Sequence, residues 1–475
     1  MDGCHNCSVH KPKKKTMTME VKIISEELIK PSSSTPQHLR TFKLSLLGQL
    51  VLEPYVAATL FYSSNSKEGS CLDVRVKIDL LKKSLSQTLS RFYPLAGKIR
   101  DDFTVECDDG GARFVEVNVN MSLSQFLTDP DLIMLNKFLP CEYAAKNSPD
   151  DVTHAANFQV NVFQCGGMAI SLCNPHKLHD GAFLSALLKE WAAAARGGGS
   201  GKGGTATAGD LMAPAEVFPV KDLWLRDLSV ATLGCTYKKG RCVTQRFLFS
   251  GPAIEALKAR GTGPTMKKPT RVEAVSGFLW KCAMAASKRK SNGLRRPSVF
   301  LHFVGIHRKT DPALSEFSLG NLLWVAAAQC KNTDSDCTDD MLPLLVAEMR
   351  RAISKIDSDF VSGLRNDKNL ISSSLEELRG LGSDGEVDCF GCSSWCNFGA
   401  YNVNFGWGRP VWVGNIGFNT PMFQNFIFLF STRLGNGIEA WVTLGEEVMD
   451  LLQEDPELRS FATVNPCPLA MTSLL

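Results

Sequence analysis

A glycine-rich tract, GGGSGKGG at positions 197–204, divides the chain near its middle. This composition favours a flexible linker over a packed helix or strand. The chain has 475 residues, more than one hydrophobic core usually accommodates, so two domains are expected. We predict a disordered basic tail at 1–18, a first domain at 19–195, a crossover linker at 196–225 and a second domain at 226–475.

Strand-like and helix-like segments alternate on both sides of the tract. Residues 158–163 alternate apolar and polar side chains, which indicates a half-buried strand. Residues 182–195 favour a helix, because their apolar side chains recur at helical spacing. The late segments AYNVNFGWGRPVWVGN and NFIFLFST are apolar and are interpreted as strands. The pattern predicts a mixed α/β protein.

Charge and hydropathy narrow the class of protein. The 52 basic and 49 acidic residues give a net charge of +3, which does not suggest a nucleic-acid partner. No apolar run reaches the roughly 18–20 residues that cross a bilayer, and the polar N-terminus is not a secretory signal. The 16 cysteines are therefore expected to be reduced thiols. We predict a cytoplasmic protein without a membrane partner.

Three short segments resemble ligand sites but lack the residue spacing that such sites require. Cys4, Cys7 and His10 form one cluster, and CFGCSSWC supplies three further cysteines at 389, 392 and 396. A structural zinc site usually needs a second ligand pair at matching spacing, so we expect no metal. The glycine-rich tract lacks the order G-x-x-x-x-G-K-[ST] and follows a predicted helix, so it is not interpreted as a phosphate-binding loop.

The segment NPHKLHDG, at 174–181, lies between a predicted strand and a predicted helix. Asp180 could cap that helix, and His176 could be an ordinary loop histidine. Alternatively, His176 projects into a cleft and accepts a proton, because neutral imidazole is abundant near neutral pH. Asp180 would then hold the loop in shape, and His179 would point away from the cleft. The residues alone leave both interpretations open.

Seven segments follow one another in a fixed order: LSLLGQL, SLSQTLSRFYPLAGKI, HKLHDG, TRVEAVSGFLWKC, LGNLLWVA, SSW and NFGWG. Together they resemble the plant BAHD acyl-CoA-dependent acyltransferases. The resemblance runs from about residue 21 to the C-terminus, and the chain looks most like the vinorine synthase-like branch.

The resemblance implies a fold and a reaction. It implies two similar-sized domains of the chloramphenicol-acetyltransferase type, with a solvent channel between them and His176 at its centre. Acyl-CoA, most simply acetyl-CoA, would serve as co-substrate with no permanently bound cofactor. A small-molecule alcohol would be the acceptor. An alkaloid alcohol is the preferred expectation, and a terpenoid alcohol is the second choice. A monomer is expected.

The resemblance also assigns residues to the site. His176 is the implied general base, with Asp180 and Gly181 shaping its loop. Ser393 and Trp395 are candidates for stabilising the oxyanion, although packing roles are equally open. A basic segment before a helix is a candidate contact for CoA phosphates, although it could be an ordinary solvated loop. Its candidate residues are Lys267, Lys268 and Thr270. The late motif contributes Asn404, Gly406, Trp407 and Gly408 as structural residues.

Three positions depart from the family pattern. Asp180 usually pairs with an arginine of the second domain, but His307 occupies that position here and Arg308 follows it. Either Arg308 pairs with Asp180, or His307 substitutes for the arginine. Asn404 replaces an aspartate and could form a neutral pair with His307, and Gly48 replaces another aspartate. These changes leave a second hypothesis open: a relative that binds acyl-CoA or a metabolite without transfer, or that catalyses hydrolysis or elimination.

Overall fold

The computed structural model describes most of the chain. The predicted tail at 1–18 lies outside the described residues, as do 199–205 and 221–225 of the predicted linker. The described residues are 19–50, 55–64, 72–100, 104–141, 154–198, 206–220, 234–263, 268–331, 341–381, 387–418 and 422–471.

The strands within these residues form four sheets. The strands are β1 (Val21–Ile29), β2 (Thr41–Lys43), β3 (Tyr55–Tyr62), β4 (Lys98–Ile99), β5 (Thr104–Glu106), β6 (Ala112–Val119), β7 (Asn157–Phe163), β8 (Met168–Pro175), β9 (Tyr237–Lys239), β10 (Cys242–Phe249), β11 (Ser298–Gly305), β12 (Leu323–Cys330), β13 (Asp388–Ser394), β14 (Trp412–Gly414), β15 (Met422–Gln424), β16 (Phe426–Ser431), β17 (Ile438–Gly445) and β18 (Ala462–Val464).

Helices alternate with these strands along the chain. The α-helices are α1 (Leu46–Gln49), α2 (Val74–Arg91), α3 (Leu123–Thr128), α4 (Gly181–Ala195), α5 (Ala208–Val217), α6 (Gly251–Arg260), α7 (Arg271–Lys290), α8 (Met341–Ser354), α9 (Ser358–Asn366), α10 (Lys368–Gly380), α11 (Glu446–Gln453) and α12 (Pro456–Phe461).

The strands form two large mixed sheets, each built mainly from one half of the chain. The first has the order β1-β6-β7-β8-β3-β14 and the second the order β12-β11-β13-β16-β17-β10-β18. Helices α2 and α4 pack against each other in the first half, and α7 packs on α8 and α11 in the second. Two large apolar clusters form, one mainly from the first half and one mainly from the second, and each includes a few residues of the other half. The predicted mixed α/β, two-domain architecture is therefore confirmed.

The two halves interlock through strand β14. It comes from the second half of the chain but pairs with β3 at the edge of the first sheet. Trp412 of β14 donates its indole N–H to Glu439 of β17 at 3.2 Å. Glu439 in turn forms an ion pair of 2.8 Å with Arg246 of β10, and both side chains are 1% exposed. This buried network joins one edge of the first sheet to the second sheet.

Residues 158–163 lie in strand β7 as predicted, but six of the seven positions of β7 are buried, so the strand is not half-buried. Its polar face is covered, because Gln159 and Asn161 donate hydrogen bonds to the carbonyls of Lys137 and Phe138.

Two further expectations about secondary structure need correction. The predicted linker contains α5, which begins with a capping box between Thr207 and Asp210 that the small-residue composition concealed. The segment AYNVNFGWGRPVWVGN is not a continuous strand, and only β14 within it is extended. Gly406 and Gly408 have φ angles of +116° and +109°, which interrupt a strand but suit a tight turn.

Candidate active site

The loop at 176–180 connects β8 to α4. Strand β8 lies inside the first sheet, between β7 and β3, so His176 begins the loop directly beyond a fixed strand end. Asn174, near the end of β8, is fully buried and accepts a hydrogen bond from the backbone N–H of Asn157 at 2.8 Å. This anchoring limits the positions that the following histidine can take.

Asp180 holds the loop through both carboxylate oxygens. Oδ1 accepts hydrogen bonds from the backbone N–H groups of Ala182 at 2.9 Å and Phe183 at 3.2 Å, as the helix-cap interpretation predicts. Oδ2 accepts a hydrogen bond from the backbone N–H of Leu322 at 3.0 Å. Because Leu322 belongs to the second half of the chain, this fully buried carboxylate fastens the loop to both halves.

His307, and not Arg308, is the side chain beside Asp180. Its Nε2 atom lies 3.4 Å from Asp180 Oδ2, and the imidazole is 11% exposed. Arg308 is exposed, so the expectation that it pairs with Asp180 is wrong. Both residues lie in a 3-10 turn, His307–Lys309, where consecutive side chains project about 120° apart. Only one of them can therefore face the carboxylate.

His179 packs into the interior of the first half. Its ring is fully buried and stacks on Phe183 with a centroid distance of 5.4 Å. Asn174 Nδ2 lies 3.3 Å from His179 Nε2. Burial and the neighbouring His176 lower the pKa of His179 to about 3. His179 is therefore neutral, and its contacts with Phe183 and Asn174 stabilise the loop from the protein interior.

His176 keeps partial solvent exposure although protein surrounds its ring. Burial lowers its pKa below the ordinary histidine value, and backbone groups of His176 and His179 together with the carboxylate of Asp180 oppose that shift. A lowered pKa keeps the imidazole neutral near neutral pH, and only the neutral form accepts a proton. The side chain is thus accessible, fixed at its base and able to act as a general base.

Glycine at two positions lets neighbouring segments approach the loop. A Cβ atom added to Gly48 of α1 would lie 2.5 Å from the carbonyl oxygen of Lys177. A Cβ atom added to Gly181 would overlap the ring of Phe398. The departure at Gly48 thus has a structural reason, because α1 packs directly against the backbone of the His176 loop.

Substitution of Gly48 by alanine is expected to destabilise the protein by about 1–3 kcal/mol, because the new methyl group must displace the Lys177 carbonyl. Gly380→Ala is the matched control, since no atom lies within 4 Å of its added Cβ and helix propensity favours alanine. Chemical denaturation of both variants measures the effect. Equal stabilities of Gly48→Ala and the unmodified protein would contradict this packing.

The SSW segment reaches the loop through one aromatic contact. Trp395 follows β13, and its ring packs on Phe398 and Phe430 with centroid distances of 5.6 Å. Trp395, Phe398 and Gly181 line a small apolar cavity of about 20 Å³. The backbone N–H of Trp395 donates to Leu429 at 2.7 Å, so only the indole N–H is available for an oxyanion. Among the described residues, no hydrogen bond links Ser393 to the 176–180 loop.

The late motif forms a turn in the core of the first half. Asn404 Oδ1 accepts hydrogen bonds from the backbone N–H groups of Gly406 at 2.8 Å and Gly408 at 3.1 Å. Trp407 is 2% exposed, and its ring stacks on Phe405 with a centroid distance of 5.6 Å. Among the described residues no hydrogen bond joins Asn404 to His307, whose Nε2 atom has no hydrogen-bond partner. The hypothesis of a neutral pair between Asn404 and His307 is therefore wrong.

The described CoA candidates are engaged in local contacts. Thr270 caps α7 by accepting a hydrogen bond from the Glu273 N–H at 3.2 Å, and Glu273 accepts one from the Thr270 N–H at 2.8 Å. Lys268 pairs with Glu255 at 2.7 Å, and both side chains are more than half exposed. Exposed pairs of this kind are weak and exchange readily. Lys267 lies outside the described residues.

The cysteines at 389, 392 and 396 do not form a metal centre. Cys389 and Cys392 of β13 are both buried but belong to different apolar clusters, on opposite faces of the second sheet. Within the described residues, one group of three possible ligands is close enough for an ion: Cys282, Asp455 and Glu457. Lys281 and Arg260 already pair with Glu457, so we assign no metal there.

Sequence patterns did not reveal two contacts that help to join the halves of the chain. The first is the backbone N–H of Leu322, which carries no side-chain signal. The second is the buried pair of Arg246 and Glu439, which lie 193 residues apart. A charged residue inside each of the apolar segments CVTQRFLFS and GIEAWVTL was the one available signal, because buried charges are normally paired.

Comparisons with known proteins agree with this architecture. The model of the Transferase family matches residues 19–459. The chain is 39% identical over 466 residues to epi-neemfruitin B 7-O-acetyltransferase of Melia azedarach, covering 95% of this chain and 100% of that protein. Limonoid 7-O-acetyltransferase of Citrus sinensis is also 39% identical, over 469 residues, with coverage of 95% and 100%. The crystal structure of vinorine synthase has a TM-score of 0.77 at 29% identity, covering 94% of this chain and 100% of that one.

Fold, loop and relatives together define an acyl-CoA-dependent acyltransferase. The chain belongs to the Transferase family, the BAHD acyltransferases that its motifs resemble. The resemblance and the enzyme class predicted from the sequence are thereby confirmed. Among the residues that the structure describes, none of the helices combines the length and the apolar character needed to span a membrane.

Proposed function

We propose that this enzyme transfers the acetyl group of acetyl-CoA to a hydroxyl group of a terpenoid, with His176 as general base. The observation that carries the proposal is the state of His176: an accessible imidazole whose lowered pKa keeps it neutral. It follows a fixed strand end, and the carboxylate of Asp180 holds its loop to both halves of the chain.

The preferred acceptor differs from the order expected from the sequence. The sequence resemblance implied an alkaloid alcohol as the preferred acceptor and a terpenoid alcohol as the second choice. The two relatives at 39% identity are named as acetyltransferases of epi-neemfruitin B and of limonoids, and limonoids are terpenoids. Vinorine synthase is 29% identical. The higher identity favours a limonoid-like alcohol over an alkaloid.

The proposed reaction is a direct transfer. His176 takes the proton of the acceptor hydroxyl as the oxygen attacks the thioester carbonyl, which gives a tetrahedral oxyanion. The C–S bond then breaks, and the imidazolium returns its proton to the departing CoA thiolate. A positioned base of this kind contributes typically about 10²–10⁴-fold to the rate. No enzyme nucleophile is required.

Further groups have proposed supporting roles. The indole N–H of Trp395 is the better candidate for the oxyanion, because its ring reaches the start of α4 through Phe398. Ser393 is the weaker candidate. Lys268 would contact a CoA phosphate by exchanging its exposed pair with Glu255, and Thr270 would act by capping α7.

The alternative hypothesis is a protein that binds acyl-CoA or a metabolite without acyl transfer. It rested on three departures from the family pattern, at Gly48, His307 and Asn404. Gly48 and Asn404 each fit a defined local contact. The Nε2 atom of His307 lies 3.4 Å from Asp180 without a hydrogen bond, and backbone N–H groups hold the Asp180 carboxylate instead. None of the three departures disrupts the His176 loop. We therefore favour catalysis.

The acceptor is tested with a panel of limonoid and alkaloid alcohols incubated with acetyl-CoA. We expect mass spectrometry to show a product heavier by one acetyl group from a limonoid-type alcohol, at higher kcat/KM than from any alkaloid. Faster acetylation of an alkaloid alcohol would reverse the preference. Acetylation of neither class would contradict the proposed acceptors.

The pH dependence of kcat/KM reports the base. Because burial lowers the pKa of His176, its neutral form persists below the ordinary histidine value of about 6.5. Activity is expected to be full above that pH and to fall only as the pH drops through the lowered pKa. An acid limb centred above pH 6.5 would contradict the neutral, enclosed imidazole.

A further inference from the structure

A groove on the second half of the protein has no role in the proposed reaction. It is open, has a volume of about 550 Å³, and lies where β10 and β13 begin and β17 ends. This size is within the range of small-molecule sites, about 300–1,000 Å³. Five basic side chains line it, and we call it the basic groove: Lys238, Lys239, Arg241, Lys290 and Arg296.

The basic groove carries an excess of positive charge. Three acidic side chains also line it, Asp388, Glu446 and Glu447, so five minus three gives a net charge of +2. Two of the acids are engaged: Ser287 donates to Asp388 at 2.5 Å, and Lys290 pairs with Glu447 at 3.0 Å. Within the described part of the chain, no ion pair neutralises four of the basic side chains: Lys238, Lys239, Arg241 and Arg296. A concave surface with unneutralised charge concentrates anions.

The floor and one wall add complementary features. Phe390 and Phe423 line the groove and are nearly buried, so they offer an apolar surface at its base. The first turn of α11 contributes Glu446, Glu447 and Val448 to the lining. The Glu446 N–H donates a hydrogen bond to the carbonyl of Arg241 at 3.1 Å, which fixes the backbone of Arg241 at this wall.

The basic groove is separate from the region proposed for acyl-CoA. Helix α7 has 20 residues and is about 30 Å long. Thr270 caps one end, and Lys290 of the groove lies at the other. Strand β13 likewise starts in the groove at Asp388 and leads away toward Trp395. The groove therefore lies at the end of α7 opposite Thr270 and at the end of β13 opposite Trp395.

We propose that the basic groove binds a small organic phosphate. Guanidinium groups recognise phosphate oxygens in a bidentate manner, so Arg241 and Arg296 would hold the phosphate, assisted by Lys238 and Lys239. The apolar floor would contact the organic part of the ligand. This site is independent of the acetyl-transfer proposal, because none of its residues contributes to the His176 loop.

Calorimetric titration of the full chain with inorganic pyrophosphate tests the phosphate subsite. Saturable binding at one site is expected. The double variant Arg241→Gln/Arg296→Gln should weaken it about tenfold or more, as expected for the loss of charge-assisted hydrogen bonds. The matched control Lys288→Gln/Arg289→Gln removes the same charge from exposed positions of α7 outside the groove, and its affinity should remain within about twofold. Saturating CoA should leave the affinity unchanged.

Three results would overturn the proposal. These are the absence of saturable binding, equal weakening by both double variants, and displacement of pyrophosphate by CoA. If the groove variant fails to fold, Lys239→Gln, at an exposed position of β9, replaces it. That variant should still weaken binding severalfold, because one charged contact to phosphate is lost, and unchanged affinity would count against the site.

Discussion

The variant His176→Ala is expected to lose about 10²–10⁴-fold in kcat, the contribution of a positioned general base. The side chain is partly exposed, so its removal should leave the fold and the affinity for acetyl-CoA nearly unchanged. Steady-state kinetics measure the loss of rate, and calorimetric titration with CoA measures binding. A large fall in kcat with retained binding is the pattern of a catalytic residue.

His38→Ala provides the control, because His38 is an exposed histidine in a different part of the first half. Its kinetics should match those of the unmodified enzyme. Retention of near-normal kcat in His176→Ala would refute the assignment of the base. A parallel loss of CoA affinity would instead indicate that the loop had collapsed.

The variant Asp180→Ala is expected to lose about 3 kcal/mol of stability. Removing a helix cap costs typically about 1 kcal/mol, and leaving the buried Leu322 N–H without an acceptor costs about 1–3 kcal/mol more. Denaturant titration measures the loss, and activity should fall with it because the His176 loop is no longer held to the second half.

Asp357→Ala is the matched control. Asp357 caps α9 with a single bond to the N–H of Phe360 at 2.9 Å, without a contact that joins the halves. Its loss should cost about 1 kcal/mol. If the two variants are destabilised equally, the bond from Asp180 to Leu322 contributes nothing, and the proposed joint between the halves is wrong.

Local patterns predicted much of the fold. The strand before His176 and the helix after Asp180 are both present. Apolar residues at helical spacing predicted the helix, whereas β8 is buried along its whole length and shows no alternation of faces. The prediction of a continuous strand at 400–415 was wrong, because most of that backbone is not extended. Gly406 and Gly408 adopt positive φ angles, so an apolar segment that resembles a strand folds as a turn.

The site shows a similar division between what the sequence could and could not predict. The motif indicated His176 and Asp180, because their residue types suit a base and a cap. The partner of Asp180 could not be chosen between His307 and Arg308, since the direction of side chains in a 3-10 turn is not encoded in the motif. The contact of Gly48 with the Lys177 carbonyl joins segments that are distant in sequence, and no local pattern reports such a packing.

The most direct test of the proposed reaction is the stoichiometry of thiol release from acetyl-CoA in the presence and absence of a limonoid alcohol. Direct transfer predicts that free CoA appears only with the acceptor, in equal amount to the acetylated product, and that His176→Ala abolishes both. Thiol release without acceptor would identify a hydrolase. Binding of acetyl-CoA with neither thiol release nor product would contradict the assignment of acetyl transfer.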